Sequence, residues 1–226
     1  MSTSAATSGL DDLERVESHS ITPDYRRRIV EERIPVSASM ELTMRCNLHC
    51  SHCYCPPGDR REELSTSEIK EALDRMAEMG TLYMLFTGGE PLLRKDFPDI
   101  YRHAKERGML VTVFTNGTLI DERILALWDE LPPHLVEISL YGATAETYEK
   151  VVATRGSFAR CLRGIEQLVA HGHRLALKAP VTRENAHEIR ELQAFSKRHG
   201  LEFRYDPVIL ATMEGDRRTH ALRLEP

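Results

Sequence analysis

The chain of 226 residues is 41% hydrophobic and 29% charged, an ordinary globular composition with enough length for one sizeable core. Its formal net charge of −5 and pI near 6.1 argue against a nucleic-acid platform or a surface for anionic membranes. No stretch approaches the ~20 consecutive apolar residues that span a bilayer, so neither nucleic acid nor membrane is an expected partner.

In chain order, the residues from Met1 to Gly9 are small and polar. They have neither the basic region nor the apolar core of a secretory signal and read as a disordered lead-in. The run Arg26-Arg27-Arg28 is followed closely by Glu31 and Glu32, the pattern of a solvated helix face. Residues 1–35 are therefore expected to form an extension, partly disordered or helical. With its thiols clustered and no export signal, the chain is expected in a reducing cytoplasm.

From about residue 38, short apolar strands alternate with amphipathic helices. Strands are predicted at 38–43, 82–86, 110–114, 135–140, 175–178 and 201–205. Ser65 and Glu68 form a capping-box pattern ahead of Ile69, Leu73, Met76 and Met79, with Gly80 closing the helix. Phe158, Cys161, Leu162, Ile165, Leu168 and Val169 give one face of another helix ended by Gly172, and Ile189, Leu192 and Phe195 line a third that stops near Gly200. Such alternation implies a parallel α/β sheet with helices outside, either doubly wound or curled into a barrel. In both, functional groups belong at the carboxyl ends of the strands.

The sequence meets that expectation at four successive strand ends. The first strand runs into Cys46, Cys50 and Cys53, and four of the five cysteines lie between positions 46 and 55. The second is followed by Thr87-Gly88-Gly89-Glu90-Pro91, the third by Thr115-Asn116-Gly117 and the fourth by Tyr141-Gly142. Three thiolates in one loop suit a metal or an iron–sulfur cluster better than a disulfide framework. Protein-held [4Fe–4S] clusters normally take four thiolates, so three would leave one iron open to a small molecule. Zinc completed by His49 or His52 is the alternative, although structural zinc more often uses two knuckles far apart in sequence. Cys55 could be a fourth ligand, but only two positions after Cys53 it is expected to support the ligands from behind or to be a bystander, and Cys161 is expected to be a packing residue on its helix.

The other segments have plain readings beside functional ones. Gly88-Gly89 could form only a tight turn, but glycines there also permit close backbone approach, and Glu90 could pair with an ammonium group. Asn116-Gly117 suits an ordinary turn. Ser139 could be a satisfied core hydroxyl or a ribose or carboxylate contact. Lys178 could be a snorkelling surface lysine.

Together these residues carry a resemblance. The segment Glu41-Leu42-Thr43-Met44-Arg45-Cys46-Asn47-Leu48-His49-Cys50-Ser51-His52-Cys53-Tyr54 resembles the cluster-binding loop of the radical S-adenosylmethionine (SAM) superfamily. Thr87 to Pro91 is similar to its Gly-Gly-Glu-Pro motif, with Thr115-Asn116-Gly117 and Ile138-Ser139-Leu140 similar to its third- and fourth-strand motifs. The likeness runs from about residue 35 to 208.

The resemblance implies a partial (β/α)6 TIM-like barrel, a [4Fe–4S] cluster and SAM. By analogy Cys46, Cys50 and Cys53 bind three irons, and the amino and carboxylate groups of SAM chelate the fourth. Gly88, Gly89 and Glu90 would hold the methionyl end, Ser139 the ribose or carboxylate, and the backbone near His52 the adenine. Asn116 and Lys178 would contact SAM or substrate. No catalytic residue is assigned beyond the cluster ligands. The implied chemistry is reductive cleavage of SAM to a 5′-deoxyadenosyl radical that abstracts hydrogen from a substrate. The electron would come from a low-potential donor of the flavodoxin or ferredoxin type.

Residues 47–54 and the region from Thr147 through Asn185 look most like the peptide- and protein-modifying subgroup, whose members commonly add a C-terminal auxiliary-cluster (SPASM or twitch) domain. No cysteine follows Lys178 here. The expected organisation is a core barrel at 36–208 and a tail at 209–226, either a minimal barrel or a chain cut before an auxiliary domain. A small-molecule substrate in cofactor biosynthesis, or electron transfer without turnover, are the alternatives to a peptide substrate.

Overall fold

The computed structural model describes residues 23–55 and 63–224, so the lead-in expected at Met1 to Gly9 lies outside the described residues. The chain divides into a unit ending at Pro35 and a unit beginning at Val36. In the first, helix α1 (Pro23–Glu31) has no buried residue. Arg27 pairs with Asp24 at 2.9 Å and Arg28 with Glu32 at 3.0 Å, the solvated face expected of that charge run.

The second unit alternates strands and helices: β1 (Ser37–Thr43), α2 (Thr66–Glu78), β2 (Tyr83–Gly88), α3 (Phe97–Glu106), β3 (Leu110–Thr115), α4 (Glu122–Glu130), β4 (Leu135–Ser139), α5 (Ala145–Val152), α6 (Ser157–Ala170), β5 (Leu175–Pro180), α7 (Ile189–Arg198) and β6 (Glu202–Asp206). The strands pair in parallel in the order β1-β2-β3-β4-β5-β6. A doubly wound sheet reverses its strand order partway; this one never does. Successive right-handed crossovers in one direction curl the sheet as an open (β/α)6 barrel. Among the described residues no helix is long and apolar enough to cross a membrane.

Local sequence explains the boundaries. The Ser65 hydroxyl accepts from the Glu68 N–H while the Glu68 carboxylate accepts from the Ser65 N–H, and Gly80 takes a left-handed turn at φ 96°. Met79 departs from its expected place on the apolar face. It is the C-cap and exposed, because the helix turns before that position can pack.

The period of two along each strand sorts the side chains. Met84, Phe86, Val111, Val113, Val136, Ile138 and Leu177 are fully buried in the core with Ile69, Leu73, Ile100, Tyr101, Trp128, Ile165 and Leu168 of the helices. The alternate positions Ser39, Glu41, Leu85, Thr87, Phe114, Ser139 and Lys178 line a cavity instead. Apolar residues thus seal the sheet to its helices, and the other face is left to a cavity with mixed polar and apolar walls.

Candidate functional site

The cavity, about 720 Å³, opens at the carboxyl ends of the strands and reaches Cys46, Cys50, Cys53, His52, Gly88, Gly89, Asn116, Ser139 and Lys178. Of the ten residues singled out in the sequence, only Glu90 is not in its lining. That volume lies within the ~300–1,000 Å³ range of small-molecule sites.

Backbone contacts anchor the cysteine loop. His49 N–H donates to Val152 O at 3.0 Å and Ser51 N–H to Val151 O at 2.9 Å, hanging the loop on the end of α5. Ser51 Oγ adds a 2.6 Å bond to Glu184, and Met213 N–H reaches Tyr54 O at 2.9 Å. All five cysteines are free thiols. Cys46, Cys50 and Cys53 all line the one cavity, so the three free thiols can be shared by a single metal group, and soft thiolates are the donors that an iron–sulfur cluster or zinc prefers.

Burial pushes Cys46 and Cys50 up, disfavouring their thiolates. Cys53 moves the other way, down to about 6, because Cys55 hydrogen-bonds its sulfur. Cys55 is buried beside Cys53 and lines the cavity, closer to the site than its sequence position suggests. Cys161 is buried in α6 and lies outside the cavity lining.

The glycine pair answers to the polypeptide. A Cβ on Gly88 would sit 2.2 Å from Thr43 O, and one on Gly89 2.3 Å from Arg45 O. Gly89 N–H donates to Thr43 O at 2.7 Å and Glu90 N–H to Arg45 O at 2.9 Å. The turn after β2 therefore lies directly against the start of the cysteine loop, and only glycine allows it. Glu90 is fully buried. Its carboxylate accepts from Thr115 Oγ1 at 2.7 Å, Asn116 N–H at 2.7 Å and Leu92 N–H at 3.1 Å, tying the end of β2 to the end of β3. Burial outweighs these donors and raises its pKa to about 7.

Asn116 Nδ2 donates to Asn47 Oδ1 at 2.9 Å and approaches Cys46 Sγ at 3.9 Å, while its Oδ1 accepts from Thr118. Asn47 Nδ2 closes the ring onto Thr118 Oγ1 at 2.8 Å. The helix α6 packs under this turn because Gly164 lets the Gly117 carbonyl approach to where a Cβ would be, at 2.2 Å.

Ser139, Lys178 and Arg204 stand level across β4, β5 and β6. The Lys178 ammonium lies 3.0 Å from Glu137 and 3.2 Å above the Phe114 ring centre. Burial pulls Lys178 down to about 7, while that carboxylate and ring favour its charged form. It is a cavity lysine, and the surface reading fails because its strand position points into the barrel. Arg204 makes a second ion pair with Glu137. His52 stacks edge-on against Tyr141, centroids 4.8 Å apart. Its Nδ1 is buried with no hydrogen-bond partner, and burial lowers its pKa to about 4. A neutral imidazole with an unused polar atom at a cavity wall is suited to a ligand contact.

Several supporting residues were invisible from the sequence. Arg94, buried, donates to Leu42 O at 2.9 Å and Leu64 O at 3.1 Å and pairs with Asp96. Asn185 Nδ2 holds Tyr141 O at 3.1 Å and Pro180 O at 2.9 Å. Glu188 accepts from Ala143 N–H, Thr144 and Thr147, fixing the start of α5. The one available signal was the spacing Asn185-x2-Glu188 after a strand end.

This geometry has known counterparts. A family description, Radical SAM superfamily, matches residues 40–195. Fe-coproporphyrin III synthase of Methanosarcina barkeri is 36% identical over 169 residues, covering 74% of this chain and 42% of that protein. Mycofactocin maturase MftC of Mycobacterium ulcerans is 36% identical over 172 residues, 75% of this chain and 46% of that protein. The chain therefore spans less than half the length of these curated relatives. Streptococcus suis SuiB bound to SAM shares the fold at TM-score 0.70 and 18% identity, over 80% of this chain and 44% of that one; SuiB has also been solved with its precursor peptide SuiA. The superfamily's cofactors are a [4Fe–4S] cluster and SAM, and this chain belongs to the radical SAM superfamily.

Proposed function

We propose that this chain is the core of a radical SAM enzyme acting on a peptide or protein. Cys46, Cys50 and Cys53 would hold the [4Fe–4S] cluster. When bound, the cluster supplies the electron that splits SAM and yields the hydrogen-abstracting 5′-deoxyadenosyl radical. The protein's own part is to bind, orient and exclude water. Of the residues that line the cavity, Gly88 and Gly89 would hold the methionyl end, Ser139 the ribose or carboxylate and the backbone near His52 the adenine, with Asn116 and Lys178 left for SAM or substrate. Glu90 acts from behind the cavity wall, by holding the Asn116 backbone where the cavity needs it. We assign the barrel to residues 36–208, with 1–35 as an extension and 209–226 as a tail. The electron donor would be of flavodoxin or ferredoxin type.

The observation that carries this reading is the convergence of three free thiols and six further motif residues on one cavity. The peptide assignment draws on MftC, named a maturase, and on SuiB, solved with a precursor peptide. Fe-coproporphyrin III synthase, at the same identity as MftC, supports a second reading with a small-molecule substrate.

The test is anaerobic reconstitution followed by strong reductant and SAM. 5′-Deoxyadenosine should form in the wild type and be absent in Cys50→Ala, which should also lose its iron and sulfide. A protein that loads the cluster yet never cleaves SAM would be an electron carrier. Isotope transfer from a candidate precursor peptide into 5′-deoxyadenosine would separate peptide from small-molecule chemistry.

A further inference from the structure

At the opposite end of the sheet a second group of chemistry-bearing side chains converges. Asp129 lies at the end of α4, His171 caps α6, and His173 leads into β5. Gly172, at φ 72°, turns the chain between the two histidines so that their rings stack, 6.1 Å apart and 8° from parallel. His171 Nδ1 is 2.9 Å from Asp129 Oδ2, and His173 Nε2 is 3.0 Å from Asp129 Oδ1. The three ligating atoms all fall within 4.8 Å of one another, the only such trio among the described residues.

A shared carboxylate could simply bridge two imidazoles. Two observations go beyond that. The His173 side chain is 5% exposed, and its Nε2 faces Asp129 Oδ1 as an ion-pair contact without the alignment of a good hydrogen bond. A buried ring nitrogen facing a carboxylate that a second imidazole shares is poised as a ligand. The trio also borders a hollow of about 300 Å³ whose wall includes Pro132, Pro133 and Arg174. That hollow leaves room for a water or an anion as the fourth partner.

We propose that Asp129, His171 and His173 form a binding site for a divalent first-row transition ion, zinc or a close neighbour, with one position open to solvent. Two imidazoles and one carboxylate are the donors such ions prefer, and three protein ligands plus water is a familiar zinc arrangement. Tetrahedral zinc at ~2.0–2.2 Å from each atom spaces its donors roughly 3.4 Å apart. The Asp129 contacts need open by only a few tenths of an ångström. Pro132 and Arg174 precede β4 and β5, so this site lies at the amino ends of the strands, away from the cysteine cavity. Bound metal would clamp the end of α4 to the α6–β5 turn.

Trp128, the only tryptophan, reports on the site, since its ring packs edge-on against His173 with centroids 6.3 Å apart. The untagged, cluster-loaded chain should be titrated with cobalt(II) while tryptophan fluorescence and visible absorption are followed. Saturable quenching at one equivalent is expected, with tetrahedral ligand-field bands and no thiolate charge transfer. His171 is partly exposed, so His171→Ala should fold and weaken binding at least ~10-fold, the lower end of what losing even a supporting residue costs a metal site. Asp129→Asn should do the same, and zinc should displace the cobalt in the wild type. Absence of saturable binding, binding unchanged in both variants, or a thiolate band at that stoichiometry would each overturn the site.

Discussion

The cysteine loop after β1 and the glycine turn after β2 lie against each other yet use their residues in opposite ways. The loop fixes itself by donating the His49 and Ser51 N–H groups to the Val152 and Val151 carbonyls and leaves its sulfurs turned to the cavity. The turn directs its distinctive residues inward: Gly88 and Gly89 give way to the Thr43 and Arg45 carbonyls, and Glu90 is enclosed by Thr115, Asn116 and Leu92. The first region presents donors to a ligand, whereas the second shapes the wall that holds those donors in place. On this reading Glu90 would serve the site by tying the end of β2 to the end of β3.

Gly89→Ala should break this arrangement most. Its Cβ would meet the Arg45 carbonyl at 2.3 Å, a contact with backbone that no rotamer relieves. Forcing the two loops apart should cost about 3 kcal/mol or more and abolish cluster loading. Gly108→Ala is the control, since its added Cβ meets open space and only its φ of 82° is strained, worth about 1 kcal/mol. Denaturant melts and iron content would be compared; equal losses in the two variants would reduce Gly89 to an ordinary turn glycine.

The same contrast explains what the sequence could reveal. Alternating strands and helices, the capping box at Ser65 and the strand-end clusters are local patterns, so the parallel sheet and nine cavity residues were legible. The choice between doubly wound and barrel was not, because it depends on strand order, which no local pattern encodes. Two of the three partners of Glu90 lie 25 and 26 residues away, and the polar bonds of Arg94 reach 52 residues back to Leu42. Long-range hydrogen bonds leave no periodicity. The Glu137 partner of Lys178 was hidden for the same reason, being on the neighbouring strand. Asp129 and His173 likewise meet only through the packing of α4 beside the α6–β5 turn.

The two regions should also oppose each other in pH. His52, on the loop side, titrates at about 4 when folded against 6.5 in its ordinary state. The unfolded chain takes that proton first, so this contribution is lost as pH falls from 6.5 toward 4. Glu90, on the turn side, titrates at about 7 against 4.5. The folded state holds that proton longer, so its ionisation removes stability as pH rises from 4.5 to 7. Each shift corresponds to about 3 kcal/mol across its window at one pKa unit per ~1.4 kcal/mol. Between pH 4.5 and 6.5 the wild-type slopes should nearly cancel. His52→Gln should leave stability falling with pH, and Glu90→Gln should leave it rising. Denaturant melts at half-unit intervals would measure both, and parallel curves for the two variants would remove the opposition.

Thr115→Val gives the smallest effect and isolates one strut of the turn. The Thr115 hydroxyl donates to Glu90 Oε1 at 2.7 Å and accepts from Gly117 N–H at 3.1 Å. Valine keeps the shape but removes both bonds, at a cost of about 1–2 kcal/mol. Glu90 Oε1 retains the Leu92 N–H and Oε2 the Asn116 N–H, so the turn should still form and the cluster still load. Losing a donor to the charged carboxylate should nevertheless raise the Glu90 pKa further. The loss of stability on the turn side would then extend to higher pH, while the His52 contribution stays where it was. A variant that loses iron while keeping its melting point would contradict this division, because it would mean that Thr115 serves the cavity directly.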